Sequence, residues 1–448
     1  MNELRELRKA AREIFGDALA AVDARRAVLD AVESDGATLR AGDAHFQTRG
    51  GRLKIYSVAL GKAAAAMASA LDERLGGALA GGVLSSPPFD FKPSERWRVY
   101  EGGHPLPNEK SLQAARAAFE LLREADEAEA LVVFLVSGGG SAMLELPRDG
   151  RLTLEELREA NRVLVSCGAP IDEVNAVRRA LSAVKGGGLA ARAPRAEQVT
   201  LVVSDVGTGR AYDVASGPTL AAPPDAPSVA DIIARHDLAS KLPATVLRAL
   251  EEAGTHGPSQ TSPEAKRTFK VLLDNETACD AAVRAARGRG FAVEFTRDIS
   301  EQHVGEGAAE LVSRLLALHA REGAGVGRGV CLISGGEFSC PVRGGGTGGR
   351  SSETALRVAF EVEKVSAGLA PRHLVALCAG TDGIDGNSPA AGALAYETTV
   401  ARARAKGLDA RKSLDESDAY TLFDRLGDAV VTGPTGTNVR DLRVLLAV

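Results

Sequence analysis

Lys62, Asp205, Glu337 and Asp382 each follow closely on a short apolar run, and so does the cluster Ser137-Gly138-Gly139-Gly140-Ser141. These are groups suited to an anionic ligand and a hard metal ion: an ammonium, carboxylate oxygens, and backbone that approaches an anion with no Cβ in the way. Lys62 comes straight after Gly61 and opens the alanine-rich stretch GKAAAAM. A lysine is unfavourable at the positive end of a helix, so one placed there points to an anionic ligand that compensates it. The bland reading is a first-turn surface lysine. Ser137 to Ser141 form a candidate phosphate cradle at a helix start, although a glycine-rich turn also occurs with purely structural duties.

A second basic element is the segment from Arg343 to Arg350, where six small residues intervene. Such backbone is free to wrap a ligand, and a guanidinium grips phosphate oxygens bidentately. Asp382 and Asp385 lie in AGTDGIDG, and together with Asp205 and Glu337 they suit Mg²⁺ carried with a nucleotide. An Asx turn explains a DG pair equally well. A Rossmann GxGxxG with its downstream acid is not evident directly after any apolar run, and no GxxxxGK[ST] occurs, which weighs against a standard dinucleotide site and a P-loop.

The elements that hold these groups are legible from the runs themselves: IYSVAL then GKAAAAM, LVVFLV then SGGGSAM, VTLVV then SDVGTG, GVCLI then SGGE, HLVALC then AGTDGIDG. Continuous rather than alternating hydrophobicity predicts strands covered on both faces, hence an open α/β fold with parallel sheets. Stretches 108–127, 153–167, 277–289 and 304–321 have helical periodicity and supply crossovers. In such a sheet, ligands bind beyond the carboxyl ends of strands, where the reactive groups fall. The polar segment GTHGPSQTSPEA, 254–265, reads as a linker, dividing the chain into domains 1–260 and 266–448. VSGGGSAML and ISGGEFSCP are alike, but shared turn chemistry accounts for that without duplication.

Composition bounds the rest. The chain has 45% hydrophobic and 25% charged residues, as globular proteins do, and a net charge of -5 argues against a general nucleic-acid binder. No apolar run is long enough to span a bilayer, and MNELRELRKAAREIF reads as an amphipathic helix rather than a signal peptide, so a cytoplasmic location is expected. Five cysteines without a CxxC pair are expected in the core, and seven histidines without ligand spacing give no zinc site.

Nine motifs in one order resemble the glycerate 2-kinase family, in which an N-terminal α/β domain precedes a C-terminal domain of MOFRL type: GKAAAAM, GGHPLPNE, SGGGSAMLELP, NAVRRALSAVKGGGLA, ASGPT, SGGE, GGR, AGTDGIDG and TGPTGTNV. The resemblance runs from about residue 55 to the C-terminus. It implies two α/β/α sandwich domains with mainly parallel, Rossmann-like sheets and an interdomain cleft. It also implies transfer of a phosphoryl group from ATP, with Mg²⁺, to the 2-hydroxyl of D-glycerate, giving 2-phospho-D-glycerate. Small molecules are the implied partners, with no nucleic acid or membrane; the oligomer considered is a homodimer.

Carried over residue by residue, Lys62 and Arg350 are the cations on the transferring group, and Asp205 and Asp382 bind metal or orient the hydroxyl, with Asp385 as a further metal ligand. Nucleotide or substrate contacts fall to Ser137, Gly138, Gly139, Gly140, Ser141, Asn175, Arg178, Lys185, Ser216, Gly217, Asn275, Glu337 and Gly349. The chain departs from the family pattern at GGRSSE, at SDVGTGR, at DGNSP and at Asp274-Asn275, changes that alter the charge near substrate. The alternatives are a kinase for another small hydroxy acid, an inactive binding protein with this fold, and a nicotinamide-dependent hydroxypyruvate reductase.

Overall fold

The computed structural model describes residues 2–47, 54–221, 226–254, 266–322, 329–365 and 371–448. The chain forms two units, Ala24–Leu272 and a second assembled from Met1–Asp23 with Leu273–Val448. The proposed linker at 254–265 lies outside the described residues apart from Gly254, which ends a helix.

In the first unit, strands β1 (Ile55–Leu60), β2 (Leu79–Ser86), β3 (Trp97–Glu101), β4 (Leu131–Ser137), β5 (Glu197–Val203) and β6 (Arg267–Leu273) form one sheet. Their order is β3-β2-β1-β4-β5-β6. β1 pairs in parallel with β2 and β4, β2 with β3, and β4 with β5. This is the Rossmann order, which turns back between β1 and β4 and opens a crevice there. Every residue of β1 and β4 is buried, as their unbroken apolar runs predict.

Val58, Leu60, Val132, Phe134 and Val136 pack against Ala114, Ala118, Leu121 and Leu122 of the helix Glu109–Glu127. That helix begins at Asn108, whose side chain accepts from Ser111 N at 2.9 Å in a capping box, a contribution of about 1 kcal/mol. Helices Leu154–Ser166, Ile171–Leu181, Val229–Arg235 and Ala244–Gly254 make a separate apolar cluster. A small antiparallel sheet, residues Val32–Ser34, Thr38–Ala41 and Ala44–Gln47, precedes β1.

The second unit has strands β7 (Ala292–Thr296), β8 (Val330–Gly336), β9 (Leu374–Gly380), β10 (Gly392–Tyr396), β11 (Ala429–Val430) and β12 (Asp441–Ala447) in the order β7-β8-β12-β9-β10-β11. β7 and β8 are parallel, and the last strand, β12, runs antiparallel to both β8 and β9. β10 is antiparallel to β9 and to β11, so four strands point one way and two are reversed. Cys331, Ile333, Val375, Leu377, Leu442, Val444 and Leu446 face one apolar layer, while Val330, Leu332, Leu374, Ala376 and Leu445 face the other. Alternation with burial on both faces is what a sheet sandwiched by helices requires.

The division differs from the sequence reading in two places. β6 closes the first sheet, its neighbour Lys266 receiving Gln198 N at 2.9 Å, so the boundary falls at residue 273 rather than 266. The N-terminal helix Asn2–Ala21 belongs to the second unit: Leu7, Ala11, Ile14, Phe15 and Ala18 form its apolar stripe and pack among the residues of β8, β9 and β12. Amphipathicity identifies such a helix but not which sheet takes it. Cys279, Cys331 and Cys378 are buried, Cys167 and Cys340 half-buried, and all five are free. Among the described residues no helix is long and apolar enough to cross a membrane.

Candidate active site

In the first unit the crevice between β1 and β4 is built by close approach of two turns. Gly61 has φ +112°, and a Cβ there would collide with the carbonyl and hydroxyl of Ser137, so only glycine lets the turns meet. Ser137 is fully buried; its hydroxyl donates to Leu60 O at 3.2 Å and accepts from Ala63 N at 3.0 Å. It is therefore spent on holding the two strand ends together. Lys62 N donates to Gly138 O at 2.8 Å, which sets the lysine at the mouth of the glycine turn. The space a Cβ of Gly138 would take is filled by the Asp205 carboxylate. Gly139 has φ +79°, and its missing Cβ would lie 2.9 Å from Cδ2 of His104. The helix that follows, Gly140–Met143, is a single turn, too short to bring the helix dipole the sequence suggested.

Behind this turn lies a tightly laced support. Ser141 Oγ is 3.1 Å from Ser216 Oγ, which donates to Asn175 Oδ1 at 3.1 Å. Ala215, Ser216 and Gly217 are successive left-handed residues, φ +52°, +60° and +67°. For the two L-residues this costs roughly 1–2 kcal/mol each. The strain is held by Gly186 N on Ser216 O at 3.2 Å, by Gly187 N on Gly217 O at 2.8 Å, and by Arg179, which reaches Ser216 O and pairs with buried Asp213.

Lys185 is buried in an ion pair with Glu145 and donates to Ser141 O at 2.8 Å; burial pushes its pKa below the ordinary lysine value. Glu145 also takes Ser182 Oγ at 2.5 Å. Lys185 thus fixes Ser141 instead of facing ligand. Arg178 turns away to Asn161 Oδ1, 3.0 Å. In the SDVGTGR segment, Arg210 pairs with Asp213 and Asp172, so that departure from the family pattern is matched by acids of this chain.

In the second unit the reversed strand is decisive. Asp441, the first residue of β12, stands in register with Gly336 at the end of β8 and Gly380 at the end of β9. Its carboxylate takes Arg350 Nε at 2.7 Å and Nη2 at 3.2 Å, while Arg350 Nη2 also donates to Glu337 at 2.7 Å. Burial works against the charged guanidinium, but Asp441 and Glu337 raise its pKa, so Arg350 is a permanent cation at the strand ends. Asn275 Oδ1 receives Gly336 N at 2.8 Å, and its amide donates to Val439 O and Asp441 O; it braces the turn. Fully buried Arg443 does the same from below, donating to Ser334 Oγ, Gly335 O and Gly336 O over the ring of Phe338.

Asp385 has a different task from the metal ligation expected of it. It is buried, and it accepts from Gly349 N (3.1 Å), Ser351 N (2.9 Å), Ser352 N (2.8 Å) and Ser352 Oγ (2.6 Å). It caps the helix Arg350–Val365 and aims its first residue. Burial pushes its pKa up to about 6, against these donors, which favour the charged form. Ser352, a departure from the family motif, adds a side-chain hydroxyl to the cap's backbone donors.

The glycine segment before Arg350 is docked on protein: Gly346 N donates to Glu416 O (2.9 Å), Thr347 N to Asp418 Oδ1 (2.8 Å) and Gly348 N to Asn387 Oδ1 (2.8 Å). Asp382 is half-buried, its carboxylate accepting from Ile384 N at 3.1 Å in an Asx turn. Among the described residues no three His, Cys, Asp or Glu side chains converge as metal ligands. A single carboxylate such as Asp205 or Asp382 fits a Mg²⁺ that keeps waters and takes phosphate oxygens, not an ion caged by protein.

The predicted residues therefore fall into two groups. Lys62, Gly138 to Ser141, Asp205, Asn175, Ser216, Gly217 and Lys185 gather in the first unit, and Asn275, Glu337, Gly349, Arg350, Asp382 and Asp385 in the second. His104, Glu145, Arg179, Arg440, Asp441 and Arg443 were missed, the last three because they precede or lie within an apolar run that is reversed.

A family model described as a domain of unknown function (DUF4147) matches residues 10–251, and the MOFRL family model matches residues 330–441. The chain is 33% identical to the glycerate 2-kinase of Pyrococcus horikoshii over 98% of this chain and 97% of that protein. It is 36% identical to a putative hydroxypyruvate reductase of Agrobacterium vitis over 98% and 94%. The crystal structure of glycerate kinase from Thermotoga maritima superposes with a TM-score of 0.81 at 32% identity, covering 99% of this chain and 100% of that one.

Proposed function

We propose that this chain, which belongs to the glycerate kinase family, transfers the γ-phosphoryl group of ATP to the 2-hydroxyl of D-glycerate, giving 2-phospho-D-glycerate. The observation that carries this reading is the crevice where β1 and β4 diverge: it brings a lysine, a glycine turn and the Asp205 carboxylate to one place. Those groups suit a phosphorylated anion and its metal. Lys62 would balance charge that spreads over the phosphoryl oxygens in the transition state, where positioned cations do most of the work; Arg350 is the cation of the same kind that the second unit offers. Asp205 in the first unit and Asp382 in the second are each a carboxylate that would suit Mg²⁺ carried with the nucleotide, an ion that neutralises phosphate charge.

Reduction of hydroxypyruvate with a nicotinamide cofactor is favoured by the Rossmann strand order and by the name of one relative. The turn after β1 weighs against it, because Gly61-Lys62-Ala63-Ala64-Ala65-Ala66 offers one glycine where a pyrophosphate turn uses three. The test is a coupled ADP-release assay over D-glycerate and related hydroxy acids, run beside a nicotinamide absorbance assay with hydroxypyruvate. ADP release with D-glycerate and a 2-phosphorylated product is expected; nicotinamide turnover without ADP release would reverse the order of the two readings.

A further inference from the structure

The segment that leads into β12, Thr437-Asn438-Val439-Arg440, contains the least comfortable residues at this end of the second unit. Arg440 has φ +71°, in the left-handed region that L side chains avoid. It is held there by Thr381, whose N and Oγ1 both donate to Arg440 O, at 3.0 and 2.7 Å, while Val439 N donates to Thr381 Oγ1 at 2.8 Å. The side chain is nine-tenths buried, and Arg440 Nη2 donates to Glu301 at 2.8 Å, a carboxylate that is itself mostly exposed. Arg440 Nε has no hydrogen-bond partner among the described residues, and neither has the hydroxyl of Thr437, which is also buried. A strained backbone that delivers unsatisfied donors to the end of a central strand is a poor arrangement for stability alone.

The register gives this arrangement a use. Arg440 directly precedes Asp441, which holds Arg350, so the two arginines are carried on the same strand-end edge as Glu337 and Asp382. Arg350 has much of its guanidinium committed to Asp441 and Glu337, whereas Arg440 keeps donors unspent. A guanidinium and a hydroxyl are both oxyanion-binding groups. We infer that Arg440 and Thr437 form an oxyanion subsite beside Arg350, taking either a phosphate oxygen of the nucleotide or the carboxylate of the hydroxy acid. This rests on the kinase reading for the identity of the two anions.

Calorimetry with Mg-ADP and, separately, D-glycerate tests it on the full chain. Glycine accepts φ +71° without penalty, so Arg440→Gly should keep the wild-type melting temperature within a few degrees while weakening one probe about tenfold or more. Loss on Mg-ADP assigns the subsite to phosphate; loss on D-glycerate assigns it to carboxylate. Thr437→Val, nearly isosteric, should weaken the same probe several-fold without loss of melting temperature, since the hydroxyl it removes has no partner. Wild-type affinity for both probes in Arg440→Gly overturns the inference, as does wild-type affinity in Thr437→Val should Arg440→Gly fail to fold. Turnover assays separate the two readings: a wild type that binds both probes but releases no ADP removes the kinase assignment and leaves the subsite standing. Normal turnover with unaltered affinities in the variants removes the subsite alone.

Discussion

Arg350, the first residue of a helix, and Asp441, the first residue of the last strand, are joined by two hydrogen bonds of 2.7 and 3.2 Å from one guanidinium to one carboxylate. The helix end is fixed by Asp385 and the strand end by its register with β8 and β9, so the pair is preorganised from both sides. A cation placed this way costs no reorganisation when charge develops nearby.

Replacing Arg350 by Met should lower kcat about 100- to 1,000-fold with the fold retained, and Lys62→Met should do the same, the size of effect seen when one stabilising donor is removed from a developing anion. Coupled ADP-release kinetics with circular dichroism as a folding control read both. A wild-type kcat in both variants would remove these residues from the mechanism.

Gly138→Ala drives a Cβ into the Asp205 carboxylate. Overpacking of this kind costs about 1–3 kcal/mol, so the urea midpoint should fall and activity be lost. Adding Asp205→Gly removes the clashing group: the double variant should regain stability and stay inactive, which separates the steric effect from the chemical one.

Lys185→Met leaves the Glu145 carboxylate buried without its cation. Breaking a buried pair costs about 3–5 kcal/mol, whereas replacing both partners is far milder, so Lys185→Met with Glu145→Leu should recover much of the loss in urea denaturation. The double variant should still turn over poorly, because the Ser141 carbonyl loses its donor.

Asp385 gives stability a pH signature. Its proton is held until about pH 6 in the folded protein, against an ordinary value of 3.8. Between those values the folded chain binds more protons than the unfolded one, so the contribution is present below pH 4 and lost as pH rises through 6. The span corresponds to about 3 kcal/mol. Asp385→Asn cannot titrate, and the gap in stability between variant and wild type should therefore shift in the variant's favour from pH 4 to pH 7. A gap that does not move with pH would show that the cap is charged throughout.

The parallel sheet of the first unit was legible because burial on both faces writes unbroken apolar runs, and the groups after β1, β4 and β5 then mark the site. The same rule failed for β12. LRVLLA looks like the other runs, but it is traversed in the opposite sense, so its reactive residues, Arg440 and Asp441, come before it. Nothing in one sequence signals strand direction when the connections are long. The partners of Asp385 and Lys185 were hidden for a related reason: residue type announces a charge, while only packing decides what it meets, here a helix end and a carbonyl.

The placement of the first helix also bears on how the chain is made. Arg8 meets Asp428 across 420 residues, and the stripe from Leu7 to Ala18 packs beside strands that end at Ala447. On the ribosome, the helix Asn2–Ala21 waits for β12, which is synthesised after the whole of the interposed unit. The sheet of Ala24–Leu272, by contrast, is complete in sequence once β6 has been synthesised. Domains generally fold as units in order of synthesis, so the interposed unit is able to mature before the one that encloses it in sequence.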